Sequence, residues 1–226
     1  MRKKTCNLGT AALIVAAFGI APAYAATLIT YPKTDYPASS EVITVPAGDA
    51  GFGDDANVSL TQTFKVDSSF TARRIYLAYR NDPNGGTGEW SMNVRLFAVA
   101  DVFATDLTDP GTGSDLFSGT FSFTNMGDTE LIAQIDLTSG VLLDASVGNS
   151  GYALHITESS NADFNPGWEW LRPTSEAYAD GNMYEDGVEK NGGERDLSLA
   201  ISSVPEPSGA LLSLLGATLL LKRRRN

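Results

Sequence analysis

The stretch WSMNVRLFAV, residues 90–99, decides the fold, because Trp90, Met92, Val94 and Leu96 recur at every second position. A strand turns successive side chains to opposite faces, whereas a helix face would need spacings of three and four. The same alternation runs through VSLTQTFKV (58–66, with Val58, Leu60, Phe64 and Val66) and RRIYLAYR (73–80, with Ile75, Leu77 and Tyr79). It returns in LFSGTFSF (Phe117, Phe121, Phe123), ELIAQIDL (Leu131, Ala133, Ile135, Leu137), GYALHIT (Tyr152, Leu154, Ile156) and DLSLAI (Leu197, Leu199, Ile201). Each run predicts a strand with one face buried.

Shorter runs at 27–31 (TLITY), 41–45 (EVITV), 141–143 (VLL) and 167–171 (GWEWL) raise the expected count to between nine and eleven strands. The tracts NDPNGGTG, TDPGTGSD and DGVEKNGGE between them are rich in residues that favour turns. No run has the period of a long amphipathic helix, and no unit of 20 to 50 residues repeats, which sets propellers and solenoids aside. The expected fold is all-β, an antiparallel two-sheet β-sandwich of the jelly-roll kind.

The two ends read differently from this body. Met1-Arg2-Lys3-Lys4, an apolar run from Ala11 to Ile20 and the small-residue step APAYA make the three-part layout of a signal peptide, with cleavage expected after Ala25. The only cysteine, Cys6, precedes the apolar run, so the mature chain is expected to carry no thiol and no disulfide. At the other end, Val204-Pro205-Glu206-Pro207 is followed by 14 uncharged residues, Ser208 to Leu221, and then by Lys222, Arg223, Arg224 and Arg225. As a helix those 14 residues would span about 21 Å, short of the roughly 30 Å of a hydrocarbon core. The basic cluster can nevertheless snorkel to cytoplasmic headgroups, which allows transient insertion in the inner membrane. The expected organisation is signal peptide 1–25, sandwich 26–203 and sorting segment 204–226.

A Pro-Glu-Pro triplet, an apolar helix former and a terminal arginine cluster, in that order, resemble the PEP-CTERM sorting signal of exosortase-processed bacterial exported proteins. The resemblance covers Val204 to Asn226. It implies an exosortase-type protease cutting near the triplet as a partner, beside the signal peptidase and general secretion machinery that the N-terminal layout leads one to expect. It also implies a Gram-negative-type bacterium that makes exopolysaccharide and often biofilm. Further in, Trp168, Trp170, Arg172, Tyr178, Gly181, Tyr184, Gly187, Arg195 and Asp196 form a pattern similar to the closing third of jelly-roll domains that commonly precede such signals. No known reaction comes with that likeness.

Nine Lys and Arg stand against 26 Asp and Glu in residues 26–203, a formal charge of −17. Nucleic acid is therefore not an expected partner, since phosphate binding needs a basic surface. The lone histidine, His155, faces away from Tyr152, Leu154 and Ile156 and has no nucleophile-elbow serine near it in sequence, so no catalytic motif is recognised. Glu89 and Glu169 are the carboxylates to test for a polysaccharide hydrolase or lyase, each standing beside tryptophan. Trp168 and Trp170 share one strand face. If that face is open they offer a stacking platform for sugar, with Trp90 as a further candidate, and if closed they are core. Asp49, Asp54 and Asp55, in a glycine-rich tract, are the oxygen ligands to consider for a structural calcium. The expected function is non-enzymatic, an exported surface or matrix protein that binds exopolysaccharide. Its alternatives are the small polysaccharide-active enzyme and a purely structural envelope protein.

Overall fold

The computed structural model describes residues 26–37, 43–46, 50–52, 59–81, 89–107, 114–124, 129–159, 168–173, 178–190 and 196–203. The leader and the whole sorting segment, including Val204, Pro205, Glu206, Pro207 and the basic cluster Lys222 to Arg225, lie outside the described residues.

Two antiparallel sheets pack face to face as a β-sandwich. The first is built from β1 (Ala26–Pro32), β2 (Ile43–Val45), β3 (Ala50–Phe52), β5 (Phe70–Asn81), β8 (Glu130–Leu143), β10 (Trp168–Arg172) and β13 (Leu199–Ser202). The second is built from β4 (Ser59–Phe64), β6 (Glu89–Val99), β7 (Asp115–Thr124), β9 (Gly151–Ser159), β11 (Met183–Glu185) and β12 (Val188–Glu189). The spatial order in the first is β1-β8-β5-β10-β3, with β13 pairing both β5 and β2 beside β10, and in the second it is β12-β11-β4-β9-β6-β7.

All seven alternating runs are strands, and the described residues of each apolar set enter one core that joins both sheets. Tyr79 of the first sheet meets Phe123 of the second edge to face, ring centroids 5.3 Å apart. Phe117 and Phe121 stack at 6.4 Å across the position of Gly119, where an added Cβ would lie 3.0 to 3.2 Å from their rings. Each such buried side chain contributes about 1.5–3 kcal/mol of transfer free energy, which is the main force holding the sheets together. The outer face of the first sheet has its own small cover. Tyr36, just after a 3-10 turn at Lys33–Asp35, packs against Tyr76, Ile132 and Ala200 and donates to Val45 O at 2.8 Å.

Three elements depart from the sequence expectation. ELIAQIDL and VLL are one strand, β8, which stays continuous because a bulge between the pairs Ala72–Val141 and Arg74–Asp136 takes up the extra residues. Gly140 in that bulge has φ +65°, a backbone that a side chain would oppose. Ala50–Phe52, read as part of an acidic loop, is β3, paired with β10. The turn expected at the start of DGVEKNGGE is present at Asp186-Gly187, where both residues take positive φ (51° and 80°), but it joins two short strands, β11 and β12, that no alternation marked.

Register gives the sandwich two distinct poles. One lies at the Phe70 and Leu143 ends of β5 and β8. The row Thr27, Asp136, Arg74 and Ser202 crosses β8 near its middle, and β1 starts and β13 ends at that level, both on the side toward this pole and three strand spacings or about 14 Å apart. The opposite pole carries Arg80, Glu130 and Trp168 of the first sheet and, through the Tyr79–Phe123 contact, Trp90 of the second.

Tyrosine burial makes the folded state lose stability at alkaline pH. The Tyr184 hydroxyl, fully buried, donates to Val102 O and Ala104 O at 2.9 and 2.8 Å. Desolvation is the largest influence on it and pushes its pKa up to about 12. Burial also raises Tyr36, Tyr79 and Tyr178. The unfolded chain ionises first, near pH 10, so the folded state loses stability as pH rises from there through about 12 and is unaffected by these groups below it. Thermal melts at stepped pH should show the midpoint falling above pH 10, with phenolate absorbance rising cooperatively at unfolding. Smooth, independent phenolate titration in the folded protein would contradict this account.

Candidate functional site

Trp170 is not part of an open platform. Its side chain is 0% exposed, and its indole N–H donates to Ser198 O at 2.6 Å. The reason is position: β10 is flanked by β5 and β3, and its Trp170 face is pressed against the second sheet. The sugar-stacking pair of Trp168 and Trp170 is thus corrected to a core residue and a neighbour whose side chain lies outside the described residues, as does that of Trp90. Glu169, on the other face of β10, forms an ion pair with Arg80, while Glu89 stands at the start of β6 in the other sheet, its side chain also outside the described residues. Asp49, Asp54 and Asp55 lie outside as well, and among the described residues no three metal-ligating side chains cluster.

The patterned residues of the closing third form a structural lock. Gln62 points into the core between Leu60 and Phe64, where its amide donates to Asp196 Oδ1 at 2.9 Å and its carbonyl accepts from Leu197 N at 2.6 Å. Asp196 Oδ2 accepts from Tyr178 N at 3.0 Å, and Tyr178 OH donates to Lys65 O at 3.1 Å. Buried polar groups are costly unless paired, and this network pairs them while fixing where β13 enters the sheet. The adjoining Gly181-Asn182 backbone lies against β4, with Thr63 N donating to Asn182 O at 3.0 Å and Asn182 N donating to Thr63 Oγ1 at 2.8 Å. Tyr178, Gly181 and Asp196 of the pattern visible in the sequence are therefore architectural, while Arg195 lies outside the described residues.

A different constellation lies on the outer face of the second sheet. Register places Thr61, His155, Arg95 and Ser118 in one row across β4, β9, β6 and β7, and Ser59, Thr157, Asn93 and Thr120 in the next. Thr61 Oγ1 and His155 Nδ1 are 2.8 Å apart, and Thr120 Oγ1 donates to Asn93 Oδ1 at 2.6 Å. A bulge between Leu96 and Phe97 brings Asp115 beside Arg95, which it grips through both carboxylate oxygens at 2.8 to 3.1 Å. That pair is only 11% and 5% exposed although it sits on a solvent-side face. The Arg95 guanidinium also lies over the Phe97 ring, 5.3 Å from its centroid, a cation–π contact.

Two adjoining cavities of about 390 and 560 Å³ open over this face, and His155 and Thr157 line both. One side is walled by the β11–β12 turn and Leu107, and the segment of Leu107 is tied to that turn by Leu107 N donating to Gly187 O at 2.7 Å and Glu189 N to Thr105 O at 3.0 Å. Asp186 in that wall accepts from Ser59 N and Ser59 Oγ at 2.9 and 3.2 Å. Sequence reasoning turned His155 outward correctly but did not find the groove. The signal was available in the outward positions of four strands, but their adjacency depends on a strand order that alternation does not specify. No protein-family model matches the chain, and no characterised protein matches it in sequence.

Proposed function

We propose that the protein is a non-enzymatic β-sandwich exported through its signal peptide, sorted by an exosortase-type system and displayed at the cell surface or in the extracellular matrix, where it binds exopolysaccharide. The jelly-roll reading belongs to this proposal and is supported by strand order: β3-β10-β5-β8 in one sheet and β4-β9-β6-β7 in the other, with the chain crossing between sheets. The observation that carries the reading is that β1 begins and β13 ends at one level of the first sheet, both directed from the same side. The leader and the sorting segment continue the chain from those two positions, so a sandwich held by either would present the pole of Arg80 and Glu130 away from the membrane. The body charge of −17 favours solubility in that setting over adhesion to anionic lipid.

Mass spectrometry of envelope-bound and released protein tests the export and sorting. The expected mature chain begins at Ala26 and ends between Pro205 and Ser208, and replacing Pro205, Glu206 and Pro207 with alanine should leave a longer, membrane-retained form. Released protein that still carries Leu221-Lys222-Arg223 would exclude processing at the triplet.

A further inference from the structure

We propose that the groove on the outer face of the second sheet, floored by Asn93, the Arg95–Asp115 pair, His155 and Thr157 and walled by the Asp186-Gly187 turn, is the site that takes a neutral polysaccharide segment. The inference rests on the exopolysaccharide reading above and moves its binding site from the tryptophans to this face.

Charge selects the ligand class. Arg95 brings a positive charge to the floor, and Asp115 cancels it at hydrogen-bond distance. The rest of the lining mixes hydroxyl, amide and imidazole groups with the apolar surfaces of Phe97, Leu107 and Val94, a mixture that suits the hydroxyls and C–H faces of a sugar, with Asp186 at one wall. A polyanion would find no net positive charge here on a body of −17, and an apolar ligand would strand these polar groups without partners. A chain of vicinal hydroxyls matches them, because Asn, Arg, His and Thr side chains offer donors and acceptors at close spacing. They are preorganised as well. The side chains stand on four adjacent strands and are already bonded to one another, Thr61 to His155 and Thr120 to Asn93, so little side-chain freedom is lost on binding.

Shape agrees with a chain rather than a single small molecule. The two cavities meet at His155 and Thr157 and together cross from the β11–β12 wall to β7, the outermost strand of this sheet on that side. From β4 to β7 is three strand spacings, about 14 Å, and among the described residues no further strand pairs with the β7 edge.

Retardation of the processed protein in native gels containing polysaccharide tests this, with dextran, mannan and xylan as neutral probes and alginate and hyaluronan as anionic ones. At least one neutral probe should retard the wild type. Thr157→Trp, which fills the junction of the cavities, should weaken that retardation by roughly tenfold or more. Asn93→Ala, a shortening that leaves the core untouched, should weaken it several-fold and serves if the bulkier variant does not fold. Ile29→Trp, on the other sheet's outer face, should change nothing. Retardation unaffected by either groove variant would overturn the groove while leaving exopolysaccharide binding in place. Equal or stronger retardation by the anionic probes would overturn the neutral class. No retardation by any probe would overturn the groove and the exopolysaccharide reading together, and the export reading would still be judged separately by the mature termini.

Discussion

Trp170→Ala is expected to lower unfolding free energy by roughly 3–5 kcal/mol, the range for truncating a large buried aromatic, and to drop the melting midpoint by on the order of 10 °C. Among the described residues Trp170 is the largest fully buried side chain, and it sits where β10 is held between β5 and β3. Two terms combine: the void left by the indole, and the Ser198 carbonyl left without the donor it now has at 2.6 Å. Trp170→Phe separates them, since it keeps most of the ring while removing the N–H, and should cost less than half as much. Circular-dichroism melts and urea titrations of the three proteins give the comparison. If Trp170→Ala cost under about 1 kcal/mol, the residue would not be packed as described.

The second large effect belongs to a residue with no side chain. A Cβ built on Gly181 would lie 1.9 Å from Thr63 O and 2.6 Å from Thr63 C, both backbone atoms that cannot swing aside. Gly181→Ala must therefore push residues 181–182 off β4, breaking the bonds between Thr63 and Asn182 and straining the neighbouring Gln62–Asp196 network. A loss of roughly 3 kcal/mol or more is expected. Gly148→Ala is the control: it has nothing within 4 Å and φ +63°, so only left-handed backbone strain of about 1 kcal/mol should appear. Equal losses from both in a denaturant series would mean that the contact with Thr63 is not tight.

These two substitutions also show where the sequence was legible. The apolar face of each long strand could be read directly, because alternation is a local property of the extended chain and because the residues concerned, such as Val94, Leu96 and Ile135, have no polar atoms to divert them. Trp170 was harder. Spacing placed it on the same side as Trp168, but whether that side met solvent or the second sheet depended on β4, β6, β7 and β9, strands assembled from 59 to 159. Gly181 stood out in the closing pattern, yet its reason is a backbone 118 positions earlier in the chain, at Thr63. Gln62 broke the apolar series of its strand, and its partners Asp196 and Leu197 explain why a core position could hold an amide.

The amino-acid order alone thus specified an all-β chain and the side of each long strand that turns inward, since a period of two needs no knowledge of neighbours. Folding in three dimensions settled what covers each face. It buried Trp170, paired Glu169 with Arg80, turned Asp186-Gly187 into a wall and drew Thr61, Arg95, Asp115 and His155 from four strands onto one surface. Those adjacencies come from strand order and from one bulge beside Phe97, both set by contacts between segments far apart in the chain.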